Sequence, residues 1–223
     1  MRKLVQHLGL IHLWAAAHVD QPHPEPGFGS DLASLAIFWP DLADSYPADA
    51  DLVDWYRKTN ANLVRVLEST PPDQECFTFL PTSSPLAMWA RRQASETAAH
   101  RFDAENAVGM MSGFDPVFAA DALDELLSGF APGRQALPIS TVRTMHVHAV
   151  DTDDHWLMKL GPEVTTTSRT DGPGDLTLTG RAADLYLTLW NRGGDSTISI
   201  IGEGELLDVW HGNIQVRWGE DAK

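Results

Sequence analysis

The hydrophobic period changes once along this chain, near residues 131–140, and that change restricts it to two differently built parts. Before it, apolar residues recur every three or four positions. Leu4, His7, Ile11, Trp14 and His18 fall on one stripe, which predicts a helix over about residues 2–18. The Pro- and Gly-rich stretch QPHPEPGFGS predicts a loop, followed by a short apolar piece, LASLAIFW, that packs locally. Leu52, Trp55, Tyr56, Leu63, Val66 and Leu67 line a second helix, over about 51–68, ended by Pro71 and Pro72. A third helix runs from Pro85 to about Ala107, with Ser84 as its cap. A fourth follows Asp115 and Pro116 and runs to about Leu127. Helices joined this way form a bundle.

After APGRQALPIS the pattern alternates. TVRTMHVHAV, WLMKL, EVTTTSR, DLTLT and STISII read as strands, and RAADLYLTLW between them reads as a helix. The predicted fold class is therefore α+β in two domains: a helical bundle over 1–130, a linker over 131–140 and a smaller α+β domain over 141–218.

Bulk properties narrow the function classes. The 223 residues suffice for a buried core in each part. A net charge of −15 excludes the basic footprint that nucleic acid or an anionic membrane requires. Apolar runs stay short of the roughly 18 residues a membrane-spanning helix needs. The opening MRKLVQHLGLIHLW is broken by His7 and His12 and lacks a small-residue cleavage site, so it is not a signal peptide. The single cysteine, Cys76, fits a cytoplasmic protein without a disulfide, and it has no helix N-terminus or basic neighbour to activate it.

Glu96 and His100 carry the chemistry most worth attention. Side chains four apart on a helix point the same way, so a carboxylate and an imidazole there can reach one divalent metal ion, zinc among others. On spacing alone, a solvated Glu–His face is the simpler reading. His7 lies on the apolar stripe of the first helix, where a buried imidazole needs a partner; a carbonyl, a carboxylate or a metal would each serve. His12 and His18 read as core histidines. Asp103, and Asp121 with Glu125, could receive the second N–H of a metal-bound imidazole. Arg92–Glu96 and Arg101–Glu105 also have salt-bridge spacing. His146 and His148 share one strand face without an evident third ligand, and DTDDH (151–155) reads as an acidic turn. No phosphate-cradling glycine motif is present.

The segment MWARRQASETAAHRFDAE (88–105) resembles the signature helix of the mycothiol-dependent maleylpyruvate isomerase family, W-x-x-R-x-x-x-E-x-x-x-H-R-x-D-A-E. LVQHLGLIHLWAA is similar to that family's L-V-x-H-L-G-x-x-H-x-W helix, and DPVFAADALDELL to its last bundle helix. DTDDHWLMKLGPE and LTLTGRAADLYLTLWNRGG resemble its smaller domain. The resemblance implies a DinB-like metal-binding bundle, a sterol-carrier-like C-terminal domain, and an actinobacterial-type enzyme. It implies a divalent metal, zinc by expectation, held by His7, Glu96 and His100. It implies Arg192, in L-W-N-R-G-G, as the catalytic arginine of the C-terminal domain.

The partners it implies are mycothiol as thiol cosubstrate and a small-molecule electrophile, in a monomer or homodimer. Three protein ligands leave an open metal position, the mark of a catalytic site. Metal-activated thiolate addition then serves cis–trans isomerisation, with a mycothiol S-transferase or a non-catalytic metal-binding regulator as alternatives. In one respect the chain departs from the family pattern: a full helix and a P-G-W-like turn usually precede L-V-x-H-L-G, whereas Met1 stands six residues before His7. The expectation is a start assigned too far downstream; the alternative is a variant with an apolar groove that something else fills.

Overall fold

The computed structural model describes residues 1–23, 25, 27, 29–133, 137–162 and 165–214. They divide into two compact units, one within residues 1–112 and one from residue 113 onward.

The first unit is helical. Its elements are α1 (Arg2–Asp20), the single turns α2 (Leu32–Leu35) and α3 (Pro40–Ala43), α4 (Leu52–Ser69) and α5 (Pro85–Asn106). The expected helices are present within two residues at each end. α5 starts where Ser84 accepts the amide of Ala87 at 3.3 Å and Pro85 presets the first turn. α1 packs on both α4 and α5. The core joins Leu13 and Ala17 of α1 to Leu52 and Trp55 of α4, with Leu35 and Ala43 closing it. The LASLAIFW segment does pack locally: Trp39 donates its indole N–H to the Leu13 carbonyl at 3.1 Å. Each buried tryptophan that finds such a carbonyl avoids stranding a polar N–H in an apolar core.

His18 is a core histidine, inside an aromatic nest. It stacks on Trp89 at 5.5 Å and 11°, and lies 4.7 Å from Trp14 and 4.9 Å from Phe77. Burial pushes its pKa from near 6.5 down to about 4. Between these values the unfolded chain takes up a proton that the folded chain refuses. Stability present at neutral pH is therefore lost as pH falls through 6.5 toward 4. Allowing for residual solvation of the ring, the loss from His18 is about 2 kcal/mol by pH 4.5. His12, also pushed down to about 4 by burial, acts in the same direction. Urea unfolding of His18→Phe at pH 7 and 4.5 checks this: the variant should lose less stability on acidification than the parent, and equal losses would reject the assignment.

The second unit begins with α6 (Pro116–Asp124), capped by Asp115, whose carboxylate accepts the amides of Val117 and Phe118 at 3.0 and 3.1 Å. A π-helical turn (Glu125–Phe130) extends it. Five strands follow among the described residues: β1 (Arg143–Ala149), β2 (Asp154–Leu160), β3 (Thr166–Ser168), β4 (Leu176–Gly180) and β5 (Ser199–Gly202). α7 (Ala182–Leu189) separates β4 from β5, and α8 (Glu205–Asn213) is the last element among the described residues. The sheet order is β3-β2-β1-β4-β5, antiparallel except for the β1–β4 pair. Met145, Val147, Ala149, Trp156, Met158, Leu160, Leu176 and Leu178 are all fully buried on one face. Period two then places His146, His148 and His155 on the other face.

Four features differ from expectation. α6, grouped by sequence with the bundle over 1–130, packs on α7 in the second unit. Its apolar face is satisfied there, and Asp124 accepts the Trp156 indole N–H at 2.8 Å. Leu137, inside the expected linker, is buried and hydrogen-bonds through its amide to Gly161, whereas residues 134–136 lie outside the described ones. α8 has no counterpart among the expected elements; buried Trp210 anchors it by donating to the Leu189 carbonyl at 2.9 Å. Of the predicted strand EVTTTSR, only Thr166–Ser168 pairs, and residues 163 and 164 lie outside the described set. No described helix is long and apolar enough to cross a membrane.

Candidate metal centre

Helix α5 places Glu96 and His100 one turn apart on one face, and α1 brings His7 to them from across the unit. Both imidazoles meet the same carboxylate oxygen. Nε2 of His7 lies 3.0 Å from Glu96 Oε1, and Nε2 of His100 lies 3.1 Å from it. The three ligand atoms fall within 4.8 Å of one another, and the two rings meet edge to face at 5.0 Å. His7 is half-buried, with 31% of its side chain exposed, where the sequence stripe implied a buried ring. It sits toward the N-terminal end of α1, ahead of the fully buried stretch Ala15–Val19. The site is thus walled by α5 and open on the His7 side.

The surroundings fix protons and charge. Asp103 Oδ2 lies 2.8 Å from Nδ1 of His100. A carboxylate only accepts, so Nδ1 carries the proton, and Nε2 turns a lone pair toward Glu96 unless it is protonated as well. Arg92, buried one turn before Glu96, donates from Nη2 to Glu96 Oε2 at 2.7 Å. Burial raises the Glu96 pKa, but the close His100 and His7 imidazoles and the charge of Arg92 outweigh it and hold the carboxyl well below the usual range. Glu96 is therefore an anion facing the nitrogens of two imidazoles. Only protons or a cation between them make that arrangement favourable. Tetrahedral donors about 2.0–2.1 Å from an ion stand about 3.3 Å apart, close to the 3.0 and 3.1 Å that separate Glu96 Oε1 from the two imidazole nitrogens. The donor set of two imidazoles and one carboxylate fits a divalent metal such as zinc.

The other sequence candidates are placed as follows. His12 is buried and its Nε2 lies 3.1 Å from Thr97 Oγ1, a partnership across 85 residues that no local pattern signals. Arg101 and Glu105 form the expected pair at 3.7 Å. Asp121 and Glu125 belong to the second unit. So does Arg192, in the turn after α7, where its guanidinium donates to the Trp190 carbonyl at 3.3 Å. Cys76 is buried and its pKa is raised, chiefly by burial, which keeps the thiol unreactive. His146 and His148 gain a companion, His155, which stands in β2 rather than in the acidic turn expected over 151–155.

Two family models match the chain: the Mycothiol maleylpyruvate isomerase N-terminal domain over residues 1–105, and the MDMPI C-terminal domain over residues 118–208. The chain belongs to the mycothiol-dependent maleylpyruvate isomerase family. The match spans both units, and it includes His7, Glu96 and His100 in the first model and Arg192 in the second. A helical N-terminal part and a mixed α+β C-terminal part agree with that family's two domains. The comparison with curated proteins finds no match. Among solved structures, a double mutant of a sec-alkyl sulfatase is 12% identical at a TM-score of 0.35, over 76% of this chain and 29% of that one. A stereoselective inverting sec-alkylsulfatase from Pseudomonas sp. is 14% identical at 0.33, over 82% and 29%. This chain thus spans about 29% of the length of either sulfatase.

Proposed function

We propose that this family member is a metal-dependent, mycothiol-using enzyme that isomerises a cis double bond in a small electrophile such as maleylpyruvate. The observation that carries the proposal is the convergence of His7 Nε2 and His100 Nε2 on one oxygen of an ionised Glu96. His7, Glu96 and His100 would hold the ion. A divalent ion there supplies Lewis acidity, which lowers the pKa of a thiol and polarises substrate oxygens.

The residues around it have distinct tasks. Asp103 fixes the His100 tautomer and ring orientation, as carboxylates do for metal-bound imidazoles. Arg92 keeps Glu96 charged and aims its other oxygen at the histidines. Burial keeps His12 neutral at pH 7 behind the site. Arg192 is the proposed substrate-facing arginine, suited to a carboxylate of the substrate. In the proposed reaction, addition of the cosubstrate thiol to the cis double bond leaves a single bond free to rotate. Elimination then returns the thiol and releases the trans isomer, fumarylpyruvate. The same reading makes the second unit sterol-carrier-like and the protein cytoplasmic.

Zinc-loaded full-length chain, incubated with mycothiol and maleylpyruvate, should yield fumarylpyruvate without consuming thiol. His100→Ala should reduce the rate at least about a hundredfold, as loss of a catalytic metal does. Release of a stable thiol adduct from a generic electrophile, with no isomer formed, would replace this reading by the transferase. Zinc-free protein whose metal content His100→Ala does not change would replace both by a non-catalytic role.

A further inference from the structure

The sheet face opposite the apolar core of the second unit carries three histidines in parallel stack. His148 and His155 are direct cross-strand partners on β1 and β2, with rings 4.0 Å apart and 10° from parallel. His146 lies two residues before His148 and stacks on His155 at 5.3 Å and 2°. Two aspartates border the stack. Asp153 closes the β1–β2 turn with a left-handed backbone, φ 57°. Asp171 belongs to the loop before β4.

That loop is held against β1. Asp175 accepts the Thr144 amide at 2.7 Å, and the Thr144 hydroxyl accepts the Asp175 amide at 2.9 Å. Gly174 passes so close that an added Cβ would stand 2.5 Å from the Leu176 carbonyl oxygen and 2.9 Å from the backbone nitrogen of His146, so only glycine allows the approach. The Gly172 amide donates to Asp171 Oδ1 at 2.7 Å and orients that oxygen.

We propose that this face is a second metal site, in which His146 Nε2, His155 Nδ1 and Asp171 Oδ1 hold one divalent transition-metal ion. The three atoms stand 3.1, 3.4 and 3.8 Å apart. Donors on a tetrahedral ion about 2.0–2.1 Å away stand about 3.3 Å apart, so the triangle already has the size of a coordination face. Without an ion the arrangement is poorly satisfied. A single N–H can bridge the two imidazole nitrogens, and the carboxylate brings no proton to the third side. One cation satisfies all three together. Two imidazoles and a carboxylate select zinc, nickel or copper(II) over calcium or magnesium.

The remaining groups complete the surround. With Nδ1 on the ion, neutral His155 keeps its proton on Nε2, which faces Asp153 Oδ1 at 3.6 Å. His148 Nε2 reaches the same oxygen at 3.4 Å. His148, Asp153 and His155 form an adjoining set that shares His155. Filling both sets at once would require His155 as an imidazolate. The set with His146 is favoured because only 9% of that side chain is exposed, so one ligand is already immobilised. An ion here ties β1, β2 and the loop before β4 together, and its role is to fasten that loop to the sheet.

The test is zinc stoichiometry of the full chain by titration, with thermal unfolding and cobalt(II) absorption as parallel readouts. The parent chain should bind two equivalents, Glu96→Gln one, His155→Gln one, and the double variant none. Asp171→Asn changes only an exposed loop carboxylate and should also lose one equivalent without loss of fold by circular dichroism. His148→Gln should keep the ion. Zinc should raise the midpoint of the Glu96→Gln chain by about 5 °C, and this rise should vanish with His155→Gln. The proposal is overturned by stoichiometry unchanged in both His155→Gln and Asp171→Asn. It is overturned equally by an ion lost in His148→Gln and retained in Asp171→Asn. A failure of the first centre reads differently, as Glu96→Gln leaving the count unchanged while His155→Gln still lowers it.

Discussion

Glu96→Ala is expected to destabilise the metal-free chain by about 3–5 kcal/mol, far more than removal of a surface carboxylate. The side chains of Glu96 and Arg92 are 12% and 5% exposed, and they meet at 2.7 Å. Truncating the glutamate leaves the guanidinium in its buried place without that counter-charge, and desolvation then costs more than the lost contact. Two imidazoles lose their common acceptor at the same time. Arg92→Leu combined with Glu96→Leu should recover most of the loss, because a well-packed apolar pair avoids the desolvation of both ions. Neither variant should bind metal at this centre. Urea unfolding of chelator-treated protein separates the two: a double variant as unstable as Glu96→Ala would mean that the lost stability is not electrostatic. Metal affinity and unfolding energy would thus be decoupled at one residue, since the double variant restores only the second.

The site was legible in the sequence to unequal degrees. Ser84 and Pro85 announce α5, and a spacing of four then puts Glu96, His100 and Arg92 on one stripe, because helical geometry is local. Asp103 follows from the same rule. His7 does not. It is 89 residues from Glu96, and its approach depends on how α1 packs on α5, which no local pattern encodes. Only the resemblance of LVQHLG to a family helix linked it to the pair. On the sheet, period two correctly puts His146 and His148 on one face. His155 arrives through the β1–β2 register, with its strand beginning at Asp154 rather than past the acidic turn. Asp171 arrives through a loop whose path is set by Gly174 and the Thr144–Asp175 pair. Helix α6 was readable as a helix but not in its partner, since an apolar face says that it must be covered and not by what.

Gly9→Ala is expected to lower stability by about 1–2 kcal/mol, although helix propensity alone predicts a gain of about 1 kcal/mol. Gly9 lies in the middle of α1, where alanine would ordinarily be the better residue. Here a Cβ would stand 2.2 Å from Trp55 Cζ3 and 2.5 Å from Cη2. The indole cannot swing away cheaply. It is 7% exposed, its N–H donates to the Leu42 carbonyl at 2.7 Å, and Tyr46 packs against it edge-on at 5.7 Å. Relief therefore comes from α1 moving off α4, and overpacking of this kind costs about 1–3 kcal/mol. Gly9→Val adds β-branching and a second clash, and should cost about 3 kcal/mol or more. The displacement also reaches the metal centre. His7 is two residues from Gly9 on the same helix, whereas Glu96 and His100 stay with α5. A shift of α1 by a fraction of an ångström changes one ligand relative to the other two, and zinc affinity should fall at least tenfold in Gly9→Ala. Chemical unfolding of the metal-free variant and zinc competition with a chromogenic chelator give the two numbers separately. A variant more stable than the parent would show that Trp55 yields after all. A destabilised variant with unchanged zinc affinity would show that α1 bends at Gly9 and leaves His7 in place.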